Sequence, residues 1–406
     1  PTPTATYMVL GPGMVAQMKR IQQEVVTLRG LDVQPEVTSY IITKPQAAEL
    51  LNNLMINEVT LTELENQQRT LTVLGLVDPS YDLVDVALNQ AVDNIGGFYL
   101  PEKKELFVLA QLRFGGMEHW VYSHEFDHAL VDQAFDLSKM QTCPGDDQRC
   151  QAIKALVEGD AQFLMLQWVQ KYATPQDYYD FLNYRPPLTA LSDQPVPDYL
   201  AQEMNFPYVQ GLEFITYLHR RAGWTGVNRA YQNPPASTEQ ILHPEKYSAG
   251  EEPILVTAPD VLSALGGDWH IIADNTLGEW ASSLLLSHGA DALARLPSEV
   301  AAKAAGGWGG DHYQAFYSPS ANKSALAVQW AWDRERDATE YETALKKHLE
   351  ARYPDGAVEQ AGASCWENTR QATCVITQPT QTLWLTAPDI PTILSMWAQY
   401  PDFQPE

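Results

Sequence analysis

The chain has 406 residues, enough to bury a large core and expected to form two domains, and its 45% hydrophobic and 19% charged residues are an ordinary globular composition. Its 51 acidic residues against 26 basic ones leave a formal net charge of -25, which repels phosphate backbones and anionic headgroups and argues against nucleic-acid partners or membrane-surface binding. No apolar run reaches the roughly 18 residues that a membrane-spanning helix requires.

The first residues, PTPTAT, lack an initiator Met, a basic stretch and an apolar segment. They read as a Pro/Thr spacer left where a signal segment was removed, and one able to tether the protein. Residues 14–29 (MVAQMKRIQQEVVTLR) keep helical periodicity up to Gly30, EVTSYII (36–42) reads as a strand, and Pro45 starts a helix through AAELLNNLM. Helical spacing returns over 60–75 and 81–93. GGFYLPEKKELFVLA (96–110) predicts a hairpin turning at Pro101 to Lys104. A helix follows from Glu118 to Ala134, then a polar loop, then a long helix over 148–171.

PLTALSDQPVPDYL (187–200) reads as a Pro-rich surface loop, and helices resume over 207–222 and 225–232 before the turn-rich NPPASTEQILHPEKY. The character changes near 250, the expected boundary between domains 1–250 and 251–406. Beyond it, a strand and helices cover 254–304, and GGWGGD (306–311) reads as a loop. HYQAFY and ALAVQWAW read as strands, 335–352 as a helix, and 363–387 as short strands before a last helix. Four cysteines form two local pairs, Cys143/Cys150 and Cys365/Cys374, each closing a short polar loop. Neither has the CxxC spacing of a zinc ribbon, so two disulfides and an extracytoplasmic, secreted location are expected.

Chemistry concentrates in YSHEFDHALVDQAF (122–135). His124 and His128 stand four residues apart, so one helix face offers both rings to one metal ion. Glu125, one step round, is expected to act as general base toward water on that ion, whose pKa zinc lowers toward about 7. A catalytic zinc takes a third protein ligand and keeps one position open. Glu158, in ALVEGDAQF on the next long helix, is the expected third ligand if that helix packs antiparallel. Asp132, one turn after His128, and Asp160 are expected to accept the free ring N–H groups of the two histidines. Both helices are otherwise apolar, and charges at mid-length are costly there unless a shared polar centre pairs them. His119, His219, His270, His288, His312 and His348 lack partners at ligand spacing and read mostly as surface or capping residues.

HExxH followed by a glutamate on the next helix resembles the gluzincin zinc peptidases, the broad group of thermolysin and aminopeptidase N. HEFDHALVDQ looks like the thermolysin-type HExxHAxxD stretch, with Asp132 as its trailing acid. FPYVQGLEFITYLHRRAGWTGVNRAYQ (206–232) is similar to the PYxKG segment of aminopeptidase-N-like enzymes, with Gln210 at the Lys position. The resemblance covers about residues 96–250. It implies zinc on His124, His128 and Glu158, and an oxyanion donor at Tyr208, since a phenol aimed at developing negative charge stabilises the transition state. His243, in STEQILHPEKY, is the alternative donor, matching a downstream His in thermolysin-like enzymes. GGMEH (115–119) looks like the GxMEN amino-terminus motif but lies too near HEFDH to serve as one.

These readings predict an α+β fold: a mainly helical, zincin-like catalytic core with a small antiparallel sheet beside the HExxH helix, and a C-terminal α+β domain. The expected function is hydrolysis of peptide or protein substrates with one Zn2+ per chain, the strand at 105–110 pairing with an extended substrate. Two other classes stay open: a secreted binding or scaffold protein that keeps zinc as a structural ion, and a zinc hydrolase of a non-peptide bond.

Overall fold

The computed structural model describes residues 7–404 apart from 9, 34, 59, 85–94, 111–113, 141, 184–194 and 361. PTPTAT, most of the helix expected over 81–93 and the first part of the loop expected over 187–200 lie outside the described residues.

Long helices around a small sheet build the first part of the chain. Helix α1 (Pro12–Arg29) has Pro in its first turn and ends at Gly30, whose φ of 68° is the left-handed conformation that closes a helix. Strand β1 (Thr38–Ile42), α2 (Lys44–Glu58) and α3 (Leu61–Val73) follow, the last opened by a capping box between Thr60 and Glu63. Strands β2 (Gly97–Leu100) and β3 (Glu105–Leu109) form the expected antiparallel hairpin.

β1 joins β3 in parallel, so the small sheet has the order β1-β3-β2 and is mixed rather than wholly antiparallel. This corrects one expectation directly. β3 is the central strand with both edges paired, so residues 105–109 cannot add an extended substrate. Among the described residues, β2 pairs only with β3 and keeps an outer edge.

Helices α4 (Gly116–Phe135), α5 (Leu137–Met140), α6 (Asp147–Tyr172), α7 (Pro175–Leu182) and α8 (Asp198–Gln232) complete this part. α8 is interrupted at Ala222 and Gly223, whose backbone is not helical, in line with the two helices read from the sequence. Met18, Ile21 and Val25 of α1 pack with Val108, Tyr122, Phe126 and Trp168 in one core. Each such side chain contributes about 1.5–3 kcal/mol on burial.

Short helices α9 (Thr238–Leu242), α10 (Pro244–Ala249) and α11 (Val261–Leu265) lead into the second part. It contains β4 (His270–Asn275), α12 (Gly278–Ser287), α13 (Ser298–Ala305), β5 (Trp308–Ser318), β6 (Lys323–Trp332) and α14 (Glu335–Arg352). After them come β7 (Val358–Gln360), β8 (Ala363–Glu367), β9 (Ala372–Gln378), β10 (Gln381–Ala387) and α15 (Ile390–Trp397). The seven strands pair antiparallel in the order β4-β5-β6-β10-β9-β8-β7. Alternation along β6 divides two cores: Leu326, Val328, Trp330 and Trp332 face one, Ala325 and Ala327 the other.

GGWGGD is not the expected loop. Trp308–Asp311 belongs to β5, with a register shift between Trp308 and Gly310. A side chain on Gly310 would overlap the Ile254 carbonyl, so glycine lets the 254 segment cross the strand. Cys143–Cys150 and Cys365–Cys374 are both disulfides, the second joining directly paired residues of β8 and β9. The fold class is α+β, and no described helix is long and apolar enough to cross a membrane.

Candidate metal centre

α4 is apolar on most of its circumference, and it buries polar residues at its middle: His124, Glu125, Asp127 and His128. α6 packs along it and brings Glu158 opposite the histidines. Three donor atoms converge. His124 Nε2 lies 3.2 Å from Glu158 Oε2, His128 Nε2 lies 3.4 Å from the same oxygen, and the two ring nitrogens are 3.2 Å apart. Donors held about 2.0–2.1 Å from one tetrahedral ion stand about 3.4 Å from one another. The spacing of the triangle is compatible with one small metal ion, and two nitrogens with one carboxylate is a donor set that zinc accepts.

The three groups are also strongly coupled to one another in charge. Burial pushes Glu158 up, but the charges and hydrogen bonds of His128 and His124 outweigh it and hold the carboxyl well below its ordinary range. Burial pulls His128 down, and Glu158, Glu125 and Asp127 overcome that and raise it to about 9. Glu125 is raised, chiefly by burial and against both histidines. The Tyr99 backbone N–H of β2 approaches its carboxylate and acts in the opposite sense. Gly97 makes that approach possible, since a Cβ there would sit 2.7 Å from Val121 Cγ1 and 3.1 Å from Glu125 Cγ.

Tyr208 rides on α8 above the triangle. Its ring centroid is 6.3 Å from that of His124, and Glu158 and Glu125 reinforce burial in raising its phenol. The side chain remains 39% exposed, so solvent reaches this side of the cluster.

The remaining sequence candidates have other partners. Asp132 bonds neither His124 nor His128: it accepts from the Tyr99 hydroxyl at 2.7 Å, from Lys104 and from the Leu137 backbone N–H at 3.1 Å. It ties the hairpin to the end of α4. Asp160 does not bond a histidine either. It takes Arg29 Nη2 at 2.9 Å and the Tyr231 hydroxyl at 2.9 Å. His243 bonds Glu279 of α12 at 3.0 Å instead of facing the triangle's donors. Of the histidines read as surface or capping residues, His119 and His348 are buried, His119 on Asp177 at 2.8 Å and His348 on the Ala294 carbonyl at 2.9 Å.

Arg29 is the component the sequence reading missed. Fully buried, it bonds Asp160 and Asn228, lies 3.7 Å from Asp127 and stacks 4.4 Å from the Trp224 ring centroid. One guanidinium thus joins α1, α4, α6 and α8 behind the triangle. Its signal was legible in spacing: Met18, Ile21, Val25 and Arg29 share one face of α1, and only Arg29 is charged. A second acidic group, Glu239, Glu251 and Asp333, already encloses Lys246, each at 2.7 Å.

Residues 270–396, which span the seven-stranded sheet from β4 to β10 and most of α15, match the family described as Domain of unknown function (DUF8575). No curated protein and no solved structure matches the chain.

Proposed function

We propose that this protein is a zinc-dependent peptide hydrolase. The observation that carries the reading is the triangle of His124 Nε2, His128 Nε2 and Glu158 Oε2, with edges of 3.2, 3.2 and 3.4 Å, beside a fourth side chain, Glu125, that is not part of it. A structural zinc would be served by the ligands alone. A buried carboxylate next to them, raised by its burial, is what general-base chemistry needs.

In this reading His124, His128 and Glu158 would hold zinc, which when bound would supply Lewis acidity toward a carbonyl and make water acidic. Glu125 takes the proton from the attacking water and delivers it to the leaving amine. The Tyr208 hydroxyl donates to the oxyanion, and its solvent-facing side leaves room for substrate. Tyr208 is preferred to His243 because it lies against Glu158 and Glu125, whereas His243 is held by Glu279. The outer edge of β2 suits an extended peptide, since the same strand touches Glu125 through Tyr99. The two disulfides are compatible with an extracellular protein, and we extend this to a secreted or surface-tethered peptidase.

The test pairs metal analysis with cleavage of a peptide library by wild type and Glu125→Gln. One zinc per chain in both, with cleavage confined to wild type, is the expected result. Cleavage that survives Glu125→Gln would overturn the mechanism, and absence of stoichiometric zinc would overturn the site.

A further inference from the structure

A cavity of about 640 Å³ lies between α3 and the first turns of α6 and α8 on one side, and β4, β5 and the start of α12 on the other. Small-molecule sites occupy about 300–1,000 Å³ and favour such boundaries between packed units. None of His124, Glu125, His128 and Glu158 lines it. We infer that this cavity is a binding site for a linear alkylammonium compound, a diamine or polyamine, with one ammonium group seated on Glu203.

Three observations carry this. The ionisable side chains of the lining are Glu63, Asp147 and Glu203 together with tyrosines, and no Lys, Arg or His lines it among the described residues. Buried polar atoms without a hydrogen bond of normal geometry also line it. The Glu203 carboxylate takes a long 3.4 Å contact from Gln151 on Oε2 and the approach of the Trp280 side chain, while Glu203 Oε1 and Thr70 Oγ1 are buried without a hydrogen bond of normal geometry. Thr70 is only 4% exposed. Such groups are costly unless something bonds them, and an ammonium offers donors to both the carboxylate and the hydroxyl. Finally, Tyr199, Tyr313 and Trp280 supply aromatic walls, the surface that cations favour.

The chemistry also separates this ligand from its rivals. A bare divalent cation needs several carboxylates at one point, and these three do not form a group of converging ligand atoms among the described residues. Carboxylates at separate points of the lining suit charges spread along a flexible methylene chain. A neutral polyol would leave the acidic excess unbalanced. Burial, the largest cause, raises Glu203 to about 7, with Asp147 adding to it and Lys154 pulling against it from outside the lining. A bound ammonium would restore the carboxylate.

Calorimetric titration of the full chain with 1,5-diaminopentane and spermidine, and with 1,5-pentanediol as the neutral control, tests the inference. Saturable one-to-one binding of the amines and none of the diol is expected. Glu203→Gln should weaken the amines about tenfold to a hundredfold, and Thr70→Val, nearly isosteric, should weaken them measurably with the fold intact. Zinc content and peptide cleavage serve as separate readouts, so failure here is distinguishable from failure of the hydrolase reading. Equal binding of diol and diamine, unchanged affinity in both variants, no amine binding, or displacement of the diamine by calcium at equal concentration would overturn it.

Discussion

Gly159 of α6 and Gly211 of α8 meet backbone to backbone: a methyl group on Gly159 would overlap the Gly211 carbonyl, and one on Gly211 would overlap the carbonyl of Ala155. This crossing sets how closely α8 lies on α6. Glu158 immediately precedes one glycine and Tyr208 lies one turn before the other, so the crossing also brings the phenol to the triangle. In an open helix, Gly→Ala stabilises by about 0.8–1 kcal/mol. Here overlap should win, and Gly211→Ala is expected to destabilise by about 1–3 kcal/mol in urea unfolding. A gain in stability would contradict the packing described.

Tyr208→Phe removes one hydroxyl beside Glu158 and leaves the side chains of His124, His128 and Glu158 themselves in place. If that hydroxyl is the oxyanion donor, turnover should fall about 10²–10³-fold, the loss of one such donor. Zinc content should stay at the wild-type level. The comparison of kcat with KM is informative, because a donor used only in the transition state lowers kcat and leaves KM nearly unchanged. A rise in KM alone would assign Tyr208 to substrate binding instead.

The three converging side chains were legible because their spacing is local: four residues fix the two histidines on one helix face, and an acid interrupting the next apolar helix marks Glu158. The hairpin and both disulfides were legible for the same reason, since turn residues and short loops act within a few positions. What escaped depends on distant segments. Nothing near position 38 reveals that β1 would add to β3 and take away its free edge. Asp132 was assigned to a histidine by its nearness to His128 in sequence and Asp160 by its nearness to Glu158, whereas Lys104 and Tyr99 on the hairpin and Arg29 from α1 claim them in three dimensions. GGWGGD read as a loop because glycine usually marks one, but here it marks a close crossing within a strand.

Arg29 provides a direct test of how α4 and α6 are held together. Its side chain is fully buried between Asp127 and Asp160, so Arg29→Met would leave two acids without their shared cation. Breaking such a buried network from one side costs about 3–5 kcal/mol. Urea unfolding of Arg29→Met should show a loss of that order, and Arg29→Met combined with Asp160→Asn should recover part of it. An additive double variant, with the two losses simply summed, would mean that the pair is not coupled.

His348 makes a pH-dependent contribution to stability that can be isolated. It is buried on α14, its Nδ1–H donates to the Ala294 carbonyl at 2.9 Å, and burial first, then Arg352, lowers it to about 4. The unfolded chain, with His near about 6.5, therefore binds this proton over a window in which the folded chain does not. Stability from this group is present above pH 6.5, declines as pH falls through the window, and is lost near pH 4. The full difference is on the order of 3 kcal/mol. Buried acids such as Glu203 and Asp311 are raised to about 7 and 6 and respond in the opposite sense, so the wild-type profile alone mixes the two. His348→Asn keeps an N–H for Ala294 but cannot titrate. Subtracting its urea-unfolding profile from that of wild type should leave a slope confined to pH 4–6.5, with wild type losing the more stability as the acid is added. A flat difference would mean that His348 takes up its proton in the folded protein as readily as in the unfolded one.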